Sequence, residues 1–257
     1  MIKRYGDYFD RKTIVITGAA SGMGRETALL FGGQGANVVC ADVDEEQGRR
    51  TAARIAEAGG VADFVKTDVT RRADVRRLAE QAVAKHGGVD FLFNSAGSAL
   101  RRSKFLDIDD ELLDRAIDLN FKGVFYATQE ILPHMLRKKF GVIVNVSSMS
   151  VKRGGPGATI HYAAAKGAVT TLTLGVAREF AREGIRCLSI SPGPFDTNFQ
   201  AASDTTPELA QKFLADVPMN RLGRPSEIAE LVLFMCSNVC EFMTADTVYV
   251  NGGGGYR

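Results

Sequence analysis

Tyr162 and Lys166 are separated by three alanines at the head of a long stretch whose apolar residues recur at helical spacing. On a helix, positions i and i+4 share a face, so the phenol and the amine are neighbours. A phenol with a reference pKa near 10 is a poor base at neutral pH, and an adjacent ammonium stabilises its anion and lowers that value. The pair is expected to act as a proton donor or acceptor tuned toward the operating pH. Ser147 and Ser148 precede it, at the end of the apolar run from Gly141 to Val146. A hydroxyl there can hold a carbonyl or carbinol oxygen without changing its own charge. Most Tyr-x-x-x-Lys pairs are solvated helix surface, so the reading depends on what accompanies this one.

What accompanies it is the segment Thr17-Gly18-Ala-Ala-Ser21-Gly22-Met23-Gly24, between a β-branched run and a helical stretch. Glycines there permit a tight turn and let backbone N–H groups approach a pyrophosphate, which the positive end of the helix dipole favours. The position matches a dinucleotide-binding loop, and no Lys-Ser/Thr closes it as a P-loop would require. Asp42 ends the next apolar run. A carboxylate there can accept hydrogen bonds from adenosine ribose hydroxyls and repels a 2′-phosphate. The alternative role for Asp42 is to cap the acid-rich helix start that follows. No Arg or Lys lies between Thr17 and Gly24, so NAD is expected over NADP.

These groups need a frame. Short runs at 13–17, 37–42, 62–66, 91–94, 141–146, 186–190 and 247–250 alternate with helical stretches, two of them at about 109–120 and 125–138 and the longest at 160–183. That alternation predicts an α/β fold, a Rossmann-type doubly wound parallel sheet of about seven strands with helices on both faces. Such sheets bind ligands beyond the carboxyl ends of their strands. No repeat or linker divides the chain, so residues 1–257 are expected to form a single dinucleotide-binding catalytic domain. The polar, Ala-rich segment at about 196–217 is placed to act as a lid over substrate.

Composition narrows the field. With 257 residues, 45% hydrophobic and 24% charged, the chain has the makings of a globular core. A formal net charge of +2 leaves no basic excess for a nucleic-acid partner. No apolar run is long enough to span a membrane, the opening residues hold no secretory apolar core, and four cysteines are too few for a disulfide scaffold. A cytoplasmic location is expected. Three scattered histidines and the lack of ligand spacing argue against a metal; Cys236 and Cys240 read as helix packing.

The pieces TGAASGMG (17–24), Asp68-Val69, NSAG (94–97), Asn120, the serine pair leading to YAAAK (162–166) and SPGPFDT (191–197) resemble the short-chain dehydrogenase/reductase family, from Lys12 to Gly253. The resemblance implies an NAD-dependent oxidoreductase that moves a hydride between the cofactor and a secondary alcohol or ketone. By it, Gly18, Ser21, Gly22 and Met23 would line the pyrophosphate and ribose, and Asp68 and Val69 would hold the adenine edge. Asn94, Ala96 and Gly97 would border the riboses, and Pro192, Gly193, Phe195 and Thr197 would contact the nicotinamide. Tyr162 would be the general acid/base, with Lys166 lowering its pKa and binding the nicotinamide ribose. Ser148 would orient the substrate oxygen, and Asn120 would support a water-linked proton relay through Lys166. A homotetramer paired through long helices is implied in the same way.

The substrate is less legible. Lys152 and Arg153 follow Ser148, and Arg101 and Arg102 follow the fourth strand on the same rim. One of them, Arg153 being the candidate named for substrate beside Ser148 and Tyr162, could pair with an anionic group. The expected substrate is a small polar or anionic hydroxy compound such as a sugar, polyol or hydroxy acid. A 3-oxoacyl-(acyl-carrier-protein) reductase is the rival within the family; it usually prefers NADP and carries a basic residue where Ser21 stands. A catalytically silent dinucleotide sensor would be expected to lose one of Asn120, Ser148, Tyr162 or Lys166, and all four are present. A hydrolase built on His161 would need a GxSxG elbow, which is missing. The glycine-rich tail could let Tyr256 and Arg257 reach a neighbouring subunit, although a flexible terminus is the simpler reading.

Overall fold

Seven short strands rich in Val, Ile and Phe form the frame, the five inner ones buried on both faces and the two at the edges partly exposed. The seven are β1 (Thr13–Thr17), β2 (Asn37–Asp42), β3 (Val61–Lys66), β4 (Phe91–Asn94), β5 (Gly141–Val146), β6 (Ile185–Pro192) and β7 (Thr247–Val250). All pair in parallel, in the order β3-β2-β1-β4-β5-β6-β7. The computed structural model describes residues 3–199 and 204–254.

Period-two alternation sends successive side chains to opposite faces. Ile14, Ile16, Val38, Cys40, Phe91, Phe93, Val142, Val144, Leu188 and Ile190 face one core, packed by α1 (Gly22–Gly33), α2 (Glu45–Glu57) and α9 (Pro225–Cys236). Val15, Val39, Val65, Leu92, Ile143 and Cys187 face the other, packed by α3 (Arg72–His86), α5 (Gly123–Lys138) and α7 (Ile160–Phe180). Cover on both faces is what an all-parallel sheet requires. The expected doubly wound fold is the observed one.

Three local features depart from the expectation. The stretches expected as two helices, 109–120 and 125–138, run on continuously: α4 (Asp110–Ile117) passes through a single π turn, Asp118–Lys122, into α5. Such turns insert one residue into the helical ladder and commonly mark functional positions. A short α6 (Ser150–Arg153) follows β5. The segment expected as a polar insertion contains α8 (Pro207–Ala215), capped by the Thr206 hydroxyl accepting from the Leu209 N–H at 3.3 Å. Residues 200–203 of that segment, and Tyr256 and Arg257 of the tail, lie outside the described residues.

Strand order reverses between β1 and β4, so the loops leaving β1, β2 and β3 diverge from those leaving β4, β5 and β6. A crevice opens there, at the carboxyl ends of the strands.

Candidate active site

A cavity of about 450 Å³ fills that crevice. Its floor and one wall come from the β1 loop. Gly18 takes φ +73°, and a Cβ at that position would sit 2.8 Å from the Ala96 nitrogen. A Cβ on Gly24 would sit 2.1 Å from the Gly18 oxygen. Only glycine lets α1 begin this close to the turn. Ser21 is the N-cap of α1, its side chain makes no capping bond, and the first turn holds no acid. The positive helix end and its first N–H groups therefore border the cavity. The Thr17 hydroxyl accepts from the N–H groups of Ser95 and Ala96 at 3.2 and 3.3 Å, locking the β4 loop to β1.

Asp42 lines the same wall. Its carboxylate accepts from the Ala20 N–H at 2.9 Å and the Asp44 N–H at 3.0 Å. The helix-capping role belongs to Asp44, which accepts from the Gln47 N–H at 3.1 Å. The alternative role for Asp42 thus falls away, and its carboxylate is held rigidly at the cavity edge. Thr67, Asp68 and Val69 follow β3 and close the end beyond it.

At the opposite end, α7 begins with Ile160 and carries Tyr162 and Lys166 into the cavity, both buried. The Lys166 nitrogen donates to the Val146 carbonyl at 2.7 Å and lies 5.9 Å from the Tyr162 ring centre. Ser147 and Ser148 separate cleanly in role. The Ser147 hydroxyl bonds Thr170 at 2.8 Å and donates to the Lys166 carbonyl at 3.2 Å, fastening β5 to α7. The Ser148 hydroxyl accepts from the Ser150 N–H at 3.1 Å and lies near enough to the Tyr162 phenol to favour its ionised form. Ser148 is therefore the serine presented beside the phenol.

Asn120 sits in the π turn, fully buried. Its amide donates to the Ser98 carbonyl at 2.9 Å and accepts from the Ser98 N–H at 3.1 Å. A Cβ on Gly97 would meet the Asn120 Oδ1 at 2.8 Å and the Lys166 nitrogen at 3.1 Å. The amide oxygen and the amine thus flank one glycine from opposite helices.

Burial dominates the protonation of the pair. It pushes the Tyr162 phenol up to about 12, opposed by the Ser148 hydroxyl, and pushes Lys166 down to about 7. In the protein alone, burial outweighs any lowering of the phenol by its neighbours. The same packing that holds both groups still removes the water that would stabilise either charge.

The rim is built by the lid segment. The Phe199 ring lies 5.6 Å from that of Tyr162, and Phe213 of α8 lines the cavity near Arg102. Arg153 lines the cavity too, but its guanidinium is bonded to Asp216 at 2.6 Å and so ties α6 to the end of α8.

Of the residues expected at the site, Gly18, Ser21, Gly22, Met23, Asp42, Asp68, Val69, Ala96, Gly97, Ser148, Arg153, Tyr162, Lys166, Pro192, Gly193, Phe195 and Thr197 line one cavity. Asn94 does not. Its amide turns into the sheet and donates to Asn145 at 2.8 Å, because β4 is buried on both faces at that position. Asn120 stands behind the lining, acting through Ser98 and Gly97. Sequence reasoning missed Ser95, Ser98, Met149, Phe199 and Phe213; the aromatic pair was hidden in a segment whose average character is polar.

Comparison with known proteins decides the family. Residues 18–254 match the family described as enoyl-(acyl carrier protein) reductase. The chain is 35% identical over 243 residues to the 3-oxoacyl-(acyl-carrier-protein) reductase FabG of Thermotoga maritima, covering 94% of this chain and 97% of the relative. The chain is a short-chain dehydrogenase/reductase. It is also 35% identical over 248 residues to 4-formylbenzenesulfonate dehydrogenase of Comamonas testosteroni, covering 95% of this chain and 98% of the relative. The crystal structure of 3-ketoacyl-(acyl-carrier-protein) reductase from Brucella melitensis complexed with NADH superposes with a TM-score of 0.89 at 32% identity, over 96% of this chain and 99% of that one.

A short-chain dehydrogenase/reductase is an oxidoreductase that binds a nicotinamide dinucleotide. The cavity fits one. The uncapped start of α1 suits a pyrophosphate, Asp42 suits a ribose diol, and Gly97 leaves open the space between Asn120 and Lys166.

Proposed function

We propose that the chain is an NAD(H)-dependent oxidoreductase interconverting a secondary alcohol and its ketone, on a small polar or anionic hydroxy compound. The observation that carries this is the buried Ser148–Tyr162–Lys166 group at one end of a cavity whose other end is edged by the Asp42 carboxylate. When bound, the dinucleotide accepts or supplies the hydride. Tyr162 moves the proton of the substrate hydroxyl, and Ser148 holds the substrate oxygen beside the phenol. Lys166, anchored on Val146, contributes positive charge beneath the phenol when protonated and donates toward the ribose side of the cavity. Asn120 positions Ser98 and the Gly97 backbone, and it supports a proton path from Lys166. Phe199 and α8 cover the reacting end and exclude water as the lid.

NAD is preferred because Asp42 is fixed where a 2′-phosphate would need a cation. The NADH complex of the Brucella melitensis relative supports the same cofactor. The 35% identity to FabG supports a second reading, a 3-oxoacyl-(acyl-carrier-protein) reductase. A homo-oligomer fits the free outer edge of β7, a terminal strand, and the exposed Val239 and Phe242 in the connection leading to it. No helix of the described residues is long and apolar enough to cross a membrane, which accords with a cytoplasmic enzyme.

The test follows absorbance of reduced nicotinamide with NAD and NADP, against a panel of hydroxy acids, polyols, aryl ketones and a 3-oxoacyl thioester. Turnover with NAD and a polar hydroxy compound supports the first reading. Turnover confined to the thioester with NADPH supports the second and overturns the first.

A further inference from the structure

Arg102 differs in its bonding from the cavity's other arginine. Arg153 is neutralised by Asp216. The guanidinium of Arg102 is held by neutral acceptors: its Nη1 donates to the Gly157 carbonyl at 2.7 Å and its Nη2 to the Thr205 hydroxyl at 2.8 Å. Its plane lies over the Phe213 ring, 5.3 Å from the centroid. Its Nε is shut off from solvent and has no partner among the described residues. Asp204 acts on it at a distance, with no hydrogen bond or ion pair among the described residues. Burial works against the charge of this group. A half-buried cation facing a cavity without a counter-charge in contact costs free energy that an incoming anion would offset.

The cavity it faces is apolar in part. Ala99, Met149, Pro156, Phe199 and Phe213 line it, Phe213 against the guanidinium and Phe199 against the Tyr162 ring. Gly157 takes φ +69°, and a Cβ there would strike Arg102 Nη1 at 2.8 Å and the Phe213 ring at 3.0 Å. The backbone is thus bare where the guanidinium and the ring meet.

We propose that Arg102 is the substrate-specificity residue of this enzyme, binding the carboxylate or sulfonate of an apolar, ring-bearing ketone or alcohol whose reacting carbon lies at Tyr162 and Ser148. This rests on the oxidoreductase reading above and names its substrate class. Because Arg102 also grips Thr205 and Phe213, anion binding strengthens the closure of α8 over the reacting end. Among the relatives, a 4-formylbenzenesulfonate dehydrogenase carries a substrate of this chemistry in its name.

The experiment compares 4-acetylbenzoate and 4-acetylbenzenesulfonate with the uncharged methyl 4-acetylbenzoate, using the full chain with NADH. The variants are Arg102→Met, which keeps bulk against Phe213, Arg102→Lys, which keeps charge without the fork, and Thr205→Val, which removes the lid bond and leaves the guanidinium in place. Arg102→Met should lower kcat/KM for both acids about tenfold or more beyond the loss it causes for the ester, with Arg102→Lys between. Thr205→Val should move acids and ester together. Calorimetric titration of 4-acetylbenzoate should show uptake by the wild type, lost in Arg102→Met. Equal losses for acid and ester in Arg102→Met would reduce Arg102 to a lid clamp and overturn the proposal. So would a wild type that shows no preference for the acids in turnover or heat. Absence of nicotinamide-dependent turnover with every ketone would overturn the oxidoreductase reading instead, and the calorimetric contrast would still decide Arg102.

Discussion

The Lys166 nitrogen lies 5.9 Å from the centre of the Tyr162 ring, yet its hydrogen bond goes to the Val146 carbonyl at the end of β5. The amine is therefore moored to the sheet and presented beneath the phenol without being bonded to it. With both side chains buried, each pushes toward its neutral form, and the site invests folding stability in keeping an amine away from water.

That cost is measurable. Lys166 is pushed down to about 7 from an ordinary 10.5, so between those values the unfolded chain binds more protons than the folded one. Stability from this group consequently rises as pH climbs from 7 toward 10. Lys166→Met should raise the melting temperature by a few degrees near pH 7, on a scale of roughly 2–4 °C per kcal/mol for a domain of this size. The advantage should shrink toward pH 10, and turnover should be lost. A destabilised variant by thermal denaturation would contradict the account.

The Ser148 hydroxyl beside the phenol opposes the rise that burial imposes on it. Removing that hydroxyl leaves the phenolate less stabilised, so the phenol's pKa goes up. Ser148→Ala should shift the ascending limb of the alcohol-oxidation profile to higher pH and lower kcat by about a hundredfold or more. The equivalent change at Ser147 should act on stability, since its hydroxyl bonds Thr170 and the Lys166 carbonyl. Kinetics across pH for the two alanine variants separate these roles.

Gly97 is the point where two helices meet through one backbone atom. A methyl there would meet Asn120 Oδ1 at 2.8 Å and the Lys166 nitrogen at 3.1 Å. Gly97→Ala should lower kcat/KM by about a hundredfold, the scale of a misplacement near 1 Å, with the circular dichroism spectrum unchanged. Wild-type kinetics would show that the Asn120–Lys166 spacing is slack.

Asp42 receives the Ala20 and Asp44 N–H groups, which fixes its carboxylate at the cavity edge. Asp42→Asn keeps the shape and removes the charge. The ratio of kcat/KM for NAD over NADP should fall about tenfold or more. An unchanged ratio would place cofactor choice elsewhere.

The frame was legible because period-two runs and helical runs are decided locally. β1 to β7 and the long α7 follow from apolar spacing alone, and the loop glycines follow from the backbone approach they permit. Asn120 was legible as a residue, but its π turn was not, because an inserted residue leaves no mark on hydrophobic periodicity. The family resemblance places Asn94 at the riboses together with Ala96 and Gly97, and only those two line the cavity. The Asn94 side chain obeys the pleat of β4 and points to Asn145 instead. The charged rim was the least legible part. Arg102 and Arg153 are alike in sequence, and only the lid's return across the cavity gives Asp216 to one and Thr205 with Phe213 to the other.

The central claim is that the Tyr162 phenol, held by Ser148 over Lys166, moves the substrate proton. Tyr162→Phe removes one oxygen from a buried ring and leaves the dinucleotide end untouched. Paired measurement of turnover and calorimetric NAD binding should give activity lower by about a thousandfold or more, with affinity close to wild type. Turnover within about tenfold of wild type, with binding intact, would contradict the assignment.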